Sequence, residues 1–146
     1  MLQDYNNIFN LVTVPNLFLT WYVTEHELSD EVTVTADLKS RFLAILKDVG
    51  IEFEFLVGAW GERLQNYLGK YDLILSSEGI YSPSSLPQFT SVLVSCLGEH
   101  ALVASKKVYF GVGGGVTEFL DELAKHNRTG SIVWEGGQVG RVIIQV

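Results

Sequence analysis

Cysteine occurs once in the 146 residues, at Cys96. No internal disulfide can form, so the fold must rest on packing, and the usage fits a reducing compartment. The apolar run Val92-Leu93-Val94-Ser95-Cys96-Leu97 around it marks a buried core thiol. Basic residues are scarce as well. Lys and Arg number 10 against 17 Asp and Glu, a net charge of −7. Phosphate recognition needs clustered cations, so this balance argues against a nucleic-acid surface, while a basic protein partner would suit it. No apolar run reaches about 18 residues and no basic-then-apolar leader is present, so the sequence signals neither a membrane span nor secretion. The three histidines, His26, His100 and His126, have no partner at helical spacing. With a lone cysteine they indicate no metal site and read as exposed loop or helix-end residues. No serine sits in a G-x-S-x-G elbow.

Apolar residues make up 47% and charged residues 18%, enough for one globular domain with a single core. Residues 7–24 read as helical, interrupted at Pro15, which can open a second helix with Thr13 or Val14 near the cap. Residues 30–35 are a polar, β-branched connection. A helix is expected over 36–49, where Leu38, Phe42, Ile45, Leu46 and Val49 share a face and Gly50 ends it. In 51–57, Ile51, Phe53 and Phe55 alternate with Glu52 and Glu54, the pattern of a strand with one wet face. A short helix is expected over 62–68, then a strand over 71–77, a helix over 84–97 and a strand over 101–110. A glycine loop at 111–115 precedes a helix over 116–126. Ile132-Val133-Trp134 and Val142-Ile143-Ile144 flank a turn and predict a terminal antiparallel hairpin. Alternating strands and helices argue for an α/β fold with a mostly parallel sheet. There is no internal repeat.

Two segments invite chemistry. Tyr71-Asp72-Leu73-Ile74-Leu75-Ser76-Ser77-Glu78-Gly79-Ile80-Tyr81 is an apolar run that empties into hydroxyls, a carboxylate and a phenol. Such a run predicts a strand buried on both faces of a parallel sheet, and ligands in open parallel sheets lie beyond the carboxyl ends of the strands. The plainer reading is a core strand leaving through a polar turn, because every such strand must end somewhere. The second is Phe110-Gly111-Val112-Gly113-Gly114-Gly115, placed between a strand and a helix, where a phosphate loop would be. Its spacing is neither G-x-G-x-x-G nor a P-loop. It reads better as a wide turn with several positive-φ positions, bordering a groove.

Four segments, taken in order, carry a resemblance. They are Leu2-Gln3-Asp4-Tyr5-Asn6, then Gly58-Ala59-Trp60-Gly61-Glu62, then Ser76-Ser77-Glu78-Gly79-Ile80-Tyr81-Ser82-Pro83. The fourth is Ala104-Ser105-Lys106-Lys107-Val108-Tyr109-Phe110-Gly111-Val112-Gly113-Gly114-Gly115. Together they resemble the protein-histidine methyltransferases of the methyltransferase-like 18 type, in the seven-β-strand superfamily that uses S-adenosylmethionine. The resemblance covers nearly the whole chain, weakly between Trp21 and Ile51. It implies an α/β fold, the C-terminal half of a class I, Rossmann-like methyltransferase sheet with a terminal antiparallel hairpin. Residues 1–146 would form a partial methyltransferase domain without the N-terminal glycine-rich cofactor loop and first strands. Of the superfamily order 3-2-1-4-5-7-6, the strands 4-5-7-6 would remain, and the edge of strand 4 would be bare.

The resemblance also implies roles. Gln3, Asp4, Tyr5 and Asn6 would line the adenine side of S-adenosylmethionine, with Asp4 accepting from the adenine amino group. Gly58, Ala59 and Trp60 would pack on the adenosine; read by itself, Trp60 is an ordinary core anchor. Ser77 would line the cofactor, and Glu78 and Tyr81 would stand beside the transferred methyl. The implied substrate is a histidine of a large-subunit ribosomal protein, and the implied setting is cytoplasmic and nuclear, with no direct contact to nucleic acid or membrane. A lysine-directed relative and an inactive interaction module are the other readings. Product analysis separates the first pair, and cofactor binding separates the last.

Overall fold

The computed structural model describes residues 8–27, 31–111, 113–137 and 140–146. The chain divides into two compact units, residues 1–57 and 58–146. In the first unit a π-helical turn, Phe9–Thr13, runs directly into helix α1, Val14–Glu25. The expected break at Pro15 is absent, since Thr13 and Val14 both have helical backbone angles. The wider turn explains this: the Val14 amide donates to the Phe9 carbonyl five residues back, shifting the register where proline has no N–H to give. Helix α2 spans Ala36–Asp48. The Thr35 hydroxyl accepts from the Leu38 amide at 3.3 Å, Asp37 and Lys47 complement the helix dipole, and Gly50 leaves with φ +70°. The two helices meet through aromatic rings, with Phe18 and Trp21 at 5.6 and 5.5 Å from Phe42. Phe18 is the one buried residue of α1, and α2 has none.

The strand expected over 51–57 does not form. Its alternating pattern is present, but a strand exists only through a hydrogen-bonding neighbour, and no described residue pairs with it. Phe53, Phe55 and Val57 remain exposed.

The second unit holds the sheet. Helix α3 is Glu62–Tyr67, and its Gln65 amide nitrogen donates to the Ser91 hydroxyl of the following helix. Then come β1, Tyr71–Ser77; α4, Leu86–Cys96; β2, Leu97–Lys106; α5, Val116–Lys125; β3, Ser131–Gly136; and β4, Arg141–Gln145. The strand order is β1-β2-β4-β3. The first pair is parallel, with Ile74 opposite Ala101 and Ser77 opposite Ala104. The other two pairs are antiparallel, Val103 facing Ile144 and Ile132 facing Ile144 from the far side. This is the expected 4-5-7-6 arrangement with its terminal hairpin.

One face of the sheet forms the core. Ala101 and Val103 of β2 and Val142 and Ile144 of β4 pack with Phe89 and Leu93 of α4 and with Phe119 and Leu123 of α5, all nearly or fully buried. The helices can cover that face because their apolar residues recur at three and four positions. The other face is uncovered over β1: Leu73 is 55% and Leu75 71% exposed. The expectation of a strand buried on both faces is therefore corrected. β1 is an edge strand with one covered face, and its unbroken apolar run does not reveal which neighbours are present.

Candidate active site

The parallel pair β1–β2 aims two carboxyl ends at the same edge of the sheet. From β1 emerge Ser76, Ser77 and Glu78. The Glu78 amide donates to the Ala104 carbonyl at 2.9 Å, extending the β1–β2 ladder by one residue. The chain then leaves the sheet through a left-handed turn at Glu78, φ +57°. That conformation is uncommon for a residue with a Cβ and costs on the order of 1 kcal/mol or more. Ile80, two residues on, is fully buried in the core and fixes the exit direction.

From the end of β2 comes Tyr109. Its hydroxyl donates to Glu78 Oε2 at 2.7 Å and accepts from the Lys106 backbone amide at 3.2 Å. Burial, and then the hydrogen bond to the Glu78 carboxylate, push the phenol above its ordinary pKa of 10.0. It therefore stays protonated and keeps donating near neutral pH. Lys106 Nζ lies 5.7 Å from the Tyr109 ring centroid. Tyr81 stands beside this pair, its ring 6.2 Å from that of Tyr109, and is half exposed. Glu78 and Tyr81, the two residues expected beside the reacting group, are thus brought together around a third. Tyr109 lies within the fourth of the sequence segments, but its partner is 31 residues away, and no local pattern announces such a pairing.

The glycine loop is packed against the same place. Val108 bridges Gly115, and Gly111 and Gly113 have φ of +77° and +80°. Gly114 is buried with its backbone on the carbonyls of Ile80 and Tyr81. At the start of α5 the Glu118 carboxylate lies beside Gly115, so the helix N-terminus already faces an anion. The loop is a wide turn that braces the 78–81 segment, as its spacing suggested, while Val112 falls outside the described residues.

On the candidate cofactor side, Gln3, Asp4, Tyr5 and Asn6 lie outside the described residues. Gly58, Ala59 and Trp60 are exposed and precede α3 in irregular backbone. Trp60 meets Phe89 edge-on, centroids 5.2 Å apart, and with Leu75, Ser76, Phe89 and Leu93 lines a cavity of about 170 Å³. An indole wall in a mostly apolar hollow, with Ser76 and Tyr71 as its hydroxyl-bearing residues, fits a flat heterocycle with a polar edge. Ser77, expected to line the cofactor, is not among the cavity residues, whereas Ser76 is. The cavity runs along Ile74, Leu75 and Ser76 and stops one residue short of Ser77. No group of His, Cys, Asp and Glu among the described residues could hold a metal ion. No described helix is long and apolar enough to cross a membrane.

Comparison with known proteins bears on what this edge does. Histidine protein methyltransferase 1 of Schizosaccharomyces pombe is 37% identical over 158 aligned positions, covering 97% of this chain and 47% of that protein. This chain is a homologue of histidine protein methyltransferase 1. The Saccharomyces cerevisiae protein of that name is 31% identical over 82% of the chain, and the Bos taurus homologue 33% over 92%; each is covered to 39%. The chain therefore spans less than half the length of these methyltransferases. No protein-family model matches it. Its mixed four-stranded sheet corresponds to the C-terminal half of a Rossmann-like methyltransferase.

Proposed function

We propose that this chain carries the acceptor side of a protein-histidine methyltransferase that uses S-adenosylmethionine. The observation that carries the reading is the Glu78 carboxylate, held at the carboxyl end of β1 by Tyr109 and flanked by the half-exposed Tyr81. S-adenosylmethionine, when bound, supplies an electrophilic methyl on a sulfonium. Trp60 and Ser76 offer an aromatic wall and a hydroxyl to its adenosine end. What the protein adds is alignment and a dry pocket more than acid or base.

A histidine acceptor has an ordinary pKa of about 6.5 and is largely neutral, hence nucleophilic, at pH 7. The useful group is one that fixes its tautomer. Among the described residues only Tyr109 hydrogen-bonds the Glu78 carboxylate, through Oε2. Oε1 then accepts from the acceptor's Nδ1–H and leaves the Nε2 lone pair free to attack. As the Nε2–methyl bond forms, the sulfonium S–methyl bond breaks and its electron pair leaves with sulfur as a neutral thioether; the imidazolium so formed is stabilised electrostatically by Glu78, which stays ionised, and its Nδ1 proton passes to solvent on release. A lysine acceptor, with a pKa of about 10.4, would first have to be deprotonated, a different demand on the same carboxylate.

The substrate we infer is a histidine of a large-subunit ribosomal protein, a basic partner that a net charge of −7 suits. The setting is then cytoplasmic and nuclear. The test is methyl transfer from labelled S-adenosylmethionine to large-subunit ribosomal protein by the full-length gene product, followed by hydrolysis and amino-acid analysis. Methylhistidine in the wild type, lost in Glu78→Gln at saturating cofactor, is expected. Methyllysine as the product, or full single-turnover activity in Glu78→Gln, overturns the reading.

A further inference from the structure

We propose that Tyr109 is a positioning residue for the methyl acceptor, acting through Glu78. The inference rests on the reading of Glu78 given above and extends it to a residue from the other strand. Glu78 leaves β1 through a left-handed turn, and among the described residues its carboxylate has no hydrogen-bond partner other than Tyr109 Oη, 2.7 Å from Oε2. A glutamate side chain has three rotatable bonds, so a fixed backbone alone does not fix its carboxylate. Tyr109 does so with a short rigid arm. Its ring packs against the core, and its hydroxyl is itself oriented by the Lys106 amide at 3.2 Å.

The result is a relay of fixed geometry. The β2 backbone sets the phenol, the phenol takes Oε2, and Oε1 is left for the incoming imidazole. The half-exposed Tyr81, its ring 6.2 Å from Tyr109, leaves an approach on that side. The loop that bears Tyr109 lies close against the 80–81 backbone at Gly114, where there is no room for a Cβ. Tyr109 touches no substrate in this scheme. Its hydroxyl decides where the carboxylate points, and orientation of that kind is expressed in turnover more than in cofactor affinity.

The test is a double-mutant cycle in the full-length gene product, using Tyr109→Phe, Glu78→Gln and the pair, with single-turnover methylation of large-subunit ribosomal protein. Tyr109→Phe keeps the ring and is expected to lower the rate about tenfold, with KM for S-adenosylmethionine unchanged. In the Glu78→Gln background the same change should have no further effect, because the carboxylate it positions is gone. An equal loss in both backgrounds, or no loss from Tyr109→Phe while Glu78→Gln is impaired, overturns this proposal and leaves the role of Glu78 intact. A fully active Glu78→Gln removes the role of Glu78 and this proposal with it.

A second readout is independent of activity. In spectrophotometric alkaline titration Tyr109 should ionise above the ordinary range, its step should be missing in Tyr109→Phe, and it should move down in Glu78→Gln, since beside burial the neighbouring carboxylate raises the phenol. A tyrosine titration unchanged by Glu78→Gln also overturns the proposal.

Discussion

Gly114 is where fold and site are hardest to separate, and Gly114→Ala is the sharpest probe of both. A methyl built there would sit 2.5 Å from the Tyr81 carbonyl carbon and 2.7 Å from the Ile80 carbonyl oxygen. Carbon contacts are comfortable at about 3.5–4.0 Å, so the loop and the 80–81 segment must separate by roughly 1 Å. Neither side can yield cheaply. The obstacles are backbone atoms, and Ile80 is fully buried in the core. Overpacking of this kind costs about 1–3 kcal/mol. For a unit of roughly 60–100 residues that lowers Tm by about 4–8 °C per kcal/mol, hence by about 5–20 °C. The assay is thermal unfolding followed by near-ultraviolet circular dichroism, with Gly69→Ala as the control. A methyl at Gly69 meets nothing within 4 Å. A Gly114→Ala protein that melts within about 1 °C of the parent would refute the claim that the loop is braced on the 80–81 backbone.

Three further outcomes are expected. Trp60→Ala should weaken S-adenosylmethionine binding in calorimetry and leave turnover at saturating cofactor near that of the parent; a large loss of turnover at unchanged affinity would place the indole elsewhere. Thr90 is fully buried, and its hydroxyl has no hydrogen-bond partner among the described residues, so Thr90→Val should be neutral or raise stability by about 1 kcal/mol in urea unfolding; a loss above about 1 kcal/mol would mean the hydroxyl is satisfied. Leu75 is 71% exposed on the edge strand, so Leu75→Lys should leave Tm nearly unchanged and reduce concentration-dependent light scattering; a strong loss of Tm would mean the side chain is covered.

How far the sequence could be read depends on the range of the interaction that decides each feature. The order β1-β2-β4-β3 is legible, because the strands expected over 71–77 and 101–110 and the terminal hairpin each show in their own residues and the resemblance supplies the order, although β2 runs from Leu97 to Lys106, four residues earlier at each end. Features set by absent or distant neighbours were not. The alternation over 51–57 describes the strand that segment would form beside a partner, and no described residue supplies one. The apolar run of β1 describes a strand with two covered faces, yet the face that carries Leu73 and Leu75 is exposed. In the site, Glu78 and Tyr81 were legible as a pair because they follow a strand end by one and four residues. Tyr109 is not legible in the sequence, because its hydroxyl meets Glu78 only when β1 and β2 lie parallel. Ser76 lines the cavity where Ser77 is expected because the hollow ends one residue earlier along β1, a boundary that packing sets and no local pattern marks.

The two sides of the candidate site differ in what holds them, and the difference has a mechanical consequence. Glu78 and Tyr109 follow the paired ends of adjacent parallel strands. They are flanked by Ile80, Gly114 and Val116, all buried, so the acceptor side inherits the rigidity of the packed core. Gly58, Ala59 and Trp60 lie in irregular, exposed backbone, and of these Trp60 has an aromatic contact, edge-on to Phe89. Methyl transfer is intolerant of misalignment along the line from sulfur through carbon to nitrogen. On the function proposed above, a site with one firm wall and one lightly held wall would meet that demand by fixing the nucleophile and letting the electrophile settle against it. The left-handed turn at Glu78 fits this division. A strained backbone persists only where the surrounding structure over-determines it, and here the Ala104 carbonyl, the Tyr109 hydroxyl and the buried Ile80 do so from three directions.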